Sequence, residues 1–221
     1  MTVADFTSVL IWLPIGAALV VWILPLSRYA TGSLAVLVAL VEVGIWIEQA
    51  ARFDFAQRSP QFEQHATWIK DLGVSYHVGE YAFSLWLVGL TVVCMAACIG
   101  YGFWVGRDRP RAYFGLMLFL TGATVGVFVA QDLLLFYAFF EAMLIPLYVL
   151  VGVWGGPGRL GATVKFLIYT MTGSLFMLAA LIVYGLQVGT FDLVDGPASA
   201  SRWIFLGTGM AVLAIVFLLV R

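Results

Sequence analysis

Charge is scarce in this 221-residue chain. Asp, Glu, Lys and Arg make up 10% of it, against 63% apolar residues, and the mean hydropathy is +1.03. Soluble domains carry about 25% charged residues, so the composition excludes a water-facing globule and requires a polytopic membrane protein. The net charge is −1, and no basic patch exists beyond the short Gly106–Arg111 loop, which excludes nucleic acid as a partner. Cysteine is nearly absent. Cys94 and Cys98 stand one helical turn apart in an apolar segment, with no CxxC and no neighbouring His or Cys to complete a metal site. The first apolar segment has no basic region before it, so it is expected to stay as a helix rather than be removed as a signal peptide. Nucleotide binding has one literal match, Gly156-Pro157-Gly158-Arg159-Leu160-Gly161. No strand precedes that run, and residue 181 is Leu rather than an acid, so it reads as a turn.

Apolar segments of bilayer length occupy 9–26, 31–48, 81–105, 112–130, 133–154, 162–188 and 202–220. The expected fold is therefore an all-α membrane bundle of about seven helices forming one domain over residues 1–221. Trp12 and Trp22 are placed like interfacial anchors of the first helix, which carries Pro14 near its start. The polar stretch 49–80 reads as an extramembrane loop, with DLGVSYHV a short strand or extended segment and with His65 and His77 in solvent. Gly115, Gly122 and Gly126 line one face of the fourth helix, a pattern that lets helices approach closely in lipid. Asp132, in a tight turn, is set to cap the fifth helix. Seven of the eleven Lys and Arg residues fall on one side: Arg28, Arg107, Arg109, Arg111, Arg159, Lys165 and Arg221. The positive-inside bias puts that side in the cytoplasm of an inner (plasma) membrane, with the N-terminus and the long loop outside.

The segment Asp132–Trp154, DLLLFYAFFEAMLIPLYVLVGVW, carries one carboxylate, Glu141, near its middle. At about 1.5 Å per residue it lies roughly 14 Å from Asp132, close to the centre of a ~30 Å hydrocarbon layer. An ionisable group there costs at least roughly 2.5–3.5 kcal/mol, and such residues are functional by default. Either it finds a partner or it takes up a proton. Pro146 removes a backbone donor and leaves the Ala142 carbonyl short of its helical partner. A protonatable group beside a weakened turn suits proton transfer. In the sixth helix Lys165, Tyr169 and Thr172 share one face, where Lys165 either joins a relay or snorkels to the interface. Antiparallel helices would set Lys165 and Glu141 roughly 15 Å apart in depth. Glu42 lies nearer the end of the second helix, within reach of the interface.

Two runs together are recognisable. The spacing from Glu141 to Pro146, followed by Lys165-Phe166-Leu167-Ile168-Tyr169-Thr170, resembles chain M (subunit 4) of proton-pumping NADH:quinone oxidoreductase, complex I, a family related to Mrp-type cation/proton antiporters. WIKDLGVSYHVGEYAFSLWLVGLT resembles the family's segment before helix three, although GEYA at Gly79–Ala82 replaces the usual turn with its Asp. The resemblance spans residues 1–206, more loosely at the N-terminus.

The resemblance implies an antiporter-like fold of two inverted repeats, of which this chain looks like the first part, truncated or diverged in helix seven. It implies proton transfer at Glu141, which the family pairs with a lysine on a broken helix seven. Lys165 matches the family's helix-six lysine, with Tyr169, Thr172, Pro146 and Asp132 in support. From Gly207 onward the sequence lacks the lysine expected near Ile215, and Arg221 is a poor substitute because it does not release its proton. The expected partners are other complex I membrane-arm subunits, the lipid bilayer and protons. No cofactor is expected in this chain, with NAD, FMN, iron–sulfur clusters and quinone in the partner subunits. The alternatives are an Mrp-type antiporter subunit or a non-transporting membrane scaffold.

Overall fold

A computed structural model describes residues 5–69 and 73–193, and among these residues six helices are long and apolar enough to cross a membrane. They are α1 (Asp5–Ile23), α2 (Arg28–Arg52), α3 (Ala82–Val105), α4 (Pro110–Val129), α5 (Leu133–Trp154) and α6 (Arg159–Val188). The expected helix over 202–220, with Ile215 and Arg221, lies outside the described residues. Local chemistry sets the boundaries. The Ser27 hydroxyl accepts from the Ala30 amide at 3.3 Å and opens α2, and Pro110 fills the first turn of α4, where a missing amide costs nothing.

Two expectations need correction. The stretch 49–80 is not simply a loop. Its first residues continue α2 to Arg52, and the rest holds an antiparallel hairpin, β1 (Gln61–Ile69) with β2 (Val74–Glu80). The fold is thus a helical bundle with one small sheet. Secondly, α6 begins at Arg159, so half of the glycine-rich run is already helical. Gly158 supplies the left-handed residue (φ 80°) that turns the chain into the helix.

The hub is α4. It packs against α1, α2, α3 and α5, and 67% of its membrane span is buried, against 22% for α5 and 11% for α6. The small face of α4 allows this. A Cβ on Gly122 would sit 2.5 Å from the Ile11 carbonyl of α1 and 2.7 Å from Ile15, and one on Gly126 would sit 2.6 Å from the Phe139 ring of α5. Only glycine permits those approaches.

The two ends differ. At one lie the N-terminal end of α1, the hairpin, the α4–α5 turn and residues 190–193. Backbone bonds lace them together: Gln131 donates to His77 at 2.8 Å, Leu193 to Gln131 at 2.9 Å and Leu133 to Phe191 at 2.9 Å. Tyr76 of β2 pins the hairpin to α1 by accepting from Trp12 at 3.1 Å and pairing with the Ser8 hydroxyl at 2.8 Å. The opposite end gathers Arg28, Arg107, Arg109, Arg111 and Arg159. There Arg28 donates to the Gly106 carbonyl at 2.5 Å and Arg111 to that of Leu26 at 3.1 Å.

Candidate functional site

Asp132 is completely buried and fixes the start of α5. Its Oδ1 accepts from the amides of Leu134 (2.9 Å) and Leu135 (3.1 Å), and its Oδ2 accepts from the Ser75 amide of β2 (2.9 Å). One carboxylate thus caps the helix and ties it to the hairpin, favourably placed against the positive helix end. From that anchor, Glu141 lies about 14 Å down the axis. Its neighbour one turn back, Tyr137, hydrogen-bonds to the carboxyl and also reaches Ser174 on α6. Ser174 is buried, and its hydroxyl donates to the Met171 carbonyl at 3.0 Å. Glu141 Oε1 is shielded from solvent with no hydrogen-bond partner among the described residues. The carboxyl is therefore half satisfied. Pro146 is buried one turn further on, and α5 runs through it unbroken.

Lys165 is not brought to this carboxyl. It is exposed, as are Tyr169 and Thr172, whereas α6 turns Thr163, Ser174, Leu181 and Tyr184 towards the bundle. The shared face exists, and it points away from Glu141. Because α6 starts at Arg159, Lys165 is roughly 9 Å into the helix, while Glu141 is roughly 20 Å from Trp154. The depth difference is closer to about 10 Å than to 15 Å.

Sequence reasoning underrated two other acids. Glu42 is fully buried, with both carboxyl oxygens unpartnered among the described residues. The extension of α2 to Arg52 is the reason: Glu42 is about 15 Å from that end, not near the interface. It shares a buried face with Thr31, Ala35, Val38 and Gln49. Above it, Glu80 closes β2 inside the bundle. The Glu80 Oε1 accepts from Thr7 (3.1 Å) and Gln49 (2.9 Å), and all three residues are fully buried. Burial pushes the Glu80 carboxyl up to about 7, although the bonds from Thr7 and Gln49 pull the other way. A signal was present: period-two alternation puts Glu80 on the face of Val74 and Val78, both buried.

Of the two histidines, His77 departs from expectation. His65 stays half exposed, but His77 is only 6% exposed, and its Nδ1 lies 2.6 Å from Asp192 Oδ2. His65 faces His77 across the hairpin, ring edge to ring face, with centroids 5.0 Å apart.

Comparison with known proteins bears directly on this geometry. Residues 130–220 match the family of NADH:quinone oxidoreductase/Mrp antiporter transmembrane proteins, a range that contains Asp132, Glu141, Pro146 and Lys165. Subunit M of the NADH-quinone oxidoreductase of Rickettsia prowazekii (strain Madrid E) is 35% identical over 170 residues, 77% of this chain and 34% of that protein. The chain resembles members of this family over most of its length. Among solved structures, the antiporter-like fold recurs in respiratory complex I from Thermus thermophilus with bound NADH, at TM-score 0.71 and 30% identity, covering 91% of this chain and 42% of the other. The Mrp complex from Dietzia sp. DQ12-45-1b shares the fold at TM-score 0.70 with 20% identity, over 96% of this chain and 23% of that one. The antiporter-like chain spans about a third of the length of the curated relatives it matches.

Proposed function

We propose that this chain carries a proton half-channel of the membrane arm of an NADH:quinone oxidoreductase, with Glu141 as the group that takes up and releases the proton. The observation that carries the reading is the half-satisfied carboxyl at mid-membrane, bonded by Tyr137, which in turn reaches Ser174, and with Oε1 unpartnered among the described residues. A buried acid in that state exchanges a proton more readily than one locked in an ion pair. Pro146 and the Ala142 carbonyl it frees offer water a polar foothold one turn away. Redox chemistry, with its NAD, FMN, iron–sulfur clusters and quinone, belongs to partner subunits. Lys165, Tyr169 and Thr172 form the continuation of the path on the outer face of α6, where a further segment or subunit completes it. The Arg-rich end faces the cytoplasm and the hairpin end the outside of an inner membrane. Identity of 30–35% to oxidoreductase chains, against 20% to the Mrp complex, favours this reading over a sodium/proton antiporter.

The test is Glu141→Gln in the full-length subunit, assembled in membranes. Proton uptake into inverted vesicles during NADH oxidation should be lost while the assembled complex persists. Normal uptake in that variant would overturn the assignment. Proton exchange driven by a sodium gradient, without NADH, would transfer the chain to the antiporter reading.

A further inference from the structure

We propose that His65, His77 and Asp192 form a binding site for a divalent transition metal of the zinc class at the hairpin end of the bundle. Three separate parts of the chain converge here: β1 gives His65, β2 gives His77, and the segment after α6 gives Asp192. One ligand atom from each lies within 4.8 Å of the other two. Imidazole nitrogen and carboxylate oxygen in a two-to-one set suit zinc and its neighbours, and three protein ligands leave a fourth position for water.

The geometry is close to what a metal needs. Ligands about 2.0–2.1 Å from a tetrahedral ion sit roughly 3.3 Å apart. The His77 Nδ1 to Asp192 Oδ2 separation of 2.6 Å has to open, and the His65 Nε2 to Asp192 Oδ2 separation of 3.9 Å has to close. Both shifts are about 0.7 Å or less on that geometry. His65 sits on the exposed strand and has room to swing. The metal would take the place of the hydrogen between His77 Nδ1 and Asp192 Oδ2, with the neutral imidazole carrying its proton on Nε2.

The groups that would hold these ligands in place are already present. Asp192 is 4% exposed, its amide is held by the Thr190 hydroxyl at 3.1 Å, and it bridges to Asp132 across the backbone. His77 is fixed through its own carbonyl, which accepts from Gln131 at 2.8 Å. A His–Asp hydrogen bond alone would require only His77. The second imidazole, brought by cross-strand register to the same carboxylate oxygen, is what points to a metal. Its effect would be to staple the exit of α6 to the hairpin that already holds the start of α5.

Cobalt(II) is the probe, since zinc is spectroscopically silent. The whole chain, purified in nanodiscs, should bind one equivalent of cobalt with visible ligand-field bands, and zinc should displace it. His65→Gln lies on the exposed strand and should leave the helical circular dichroism intact. It should weaken cobalt binding by at least the roughly 10–100-fold seen when only an orienting partner is lost. Asp192→Asn should weaken it comparably, and Cys94→Ser with Cys98→Ser should not change it. Absence of the bands, or equal affinity in wild type and His65→Gln, would leave a His77–Asp192 hydrogen bond only and overturn the site.

Discussion

Helices α1–α4 and helices α5–α6 treat their polar groups in opposite ways. In the first group the chain closes around its acids. Glu42 and Glu80 are wholly buried, and Gly122 brings α1 against α4 at backbone distance. In the second group packing is thin, and although Asp132 and Ser174 are buried, Glu141 and Lys165 sit at or near an open edge. Glu141 is bonded by Tyr137, which also reaches Ser174, and Lys165 faces outward. Burial without partners costs stability and serves rigidity at best. Partial burial at an edge leaves room for water and for proton movement. On the proposed reading, the chemistry lies in the loosely packed pair and the scaffold in the packed four.

The largest expected effect breaks that contrast if it is wrong. In a full-length subunit, Glu141→Gln should abolish proton transfer with assembly intact, whereas Glu42→Leu should keep it. Glu42→Leu should also stabilise the bundle, because it removes an unpartnered buried carboxyl whose desolvation costs on the order of 1–3 kcal/mol. Thermal unfolding in detergent and vesicle proton uptake, measured on both variants, decide the matter. Loss of uptake in Glu42→Leu would place the chemistry in the scaffold half.

Packing supplies the next test. Gly122→Ala pushes a methyl into the Ile11 carbonyl and should destabilise by about 1–3 kcal/mol, as overpacking does. Gly173 on α6 has nothing within 4 Å of its would-be Cβ. Gly173→Ala should be neutral or gain up to about 1 kcal/mol through helix propensity. Equal losses at both positions would show that α6 is covered by something as closely as α4 is.

Much of this was legible in the sequence, for identifiable reasons. Lipid-length apolar runs fix helix number among the described residues, since no other element satisfies its backbone in hydrocarbon. The Asp132 cap and the α5 limits follow from local chemistry alone. What was not legible depends on tertiary contact. Nothing local reveals that Arg159 starts α6, because a glycine-rich run reads as a turn until its φ angles are known. The burial of His77 and Glu80 depends on a hairpin whose outer strand is polar and whose inner strand is covered on both faces. Helical periodicity grouped Lys165, Tyr169 and Thr172 on one face, but periodicity alone does not say which way a face points.

A smaller effect probes the buried end of the hairpin. With the Glu80 carboxyl raised from 4.5 to about 7, the folded state binds its proton more tightly than the unfolded chain does. Stability from this group is therefore greatest below pH 4.5 and falls as pH rises towards 7. Infrared spectra should show a protonated-carboxyl band disappearing near pH 7, and Glu80→Gln should remove it along with the pH dependence of unfolding over that window. A band lost near pH 4.5 instead would mean that water reaches the Thr7–Gln49–Glu80 cluster.

The smallest structural effect, and the sharpest functional discrimination, belongs to Lys165. It makes no hydrogen bond or ion pair among the described residues and lies on the exposed side of an edge helix, so Lys165→Ala should change bundle stability by no more than about 0.5 kcal/mol. Proton transfer in the full-length subunit is a separate matter. If Lys165 passes a proton along Tyr169 and Thr172, alanine removes the carrier and uptake falls while assembly survives. Arginine separates carrying from anchoring. Its side chain reaches an interface as well as lysine does, yet it holds its proton at any physiological pH. Lys165→Arg should therefore fail like Lys165→Ala, whereas a snorkelling anchor would tolerate arginine and lose little with glutamine. Near-normal uptake in the alanine variant would remove Lys165 from the path and leave Glu141 to exchange its proton through the Pro146 turn alone.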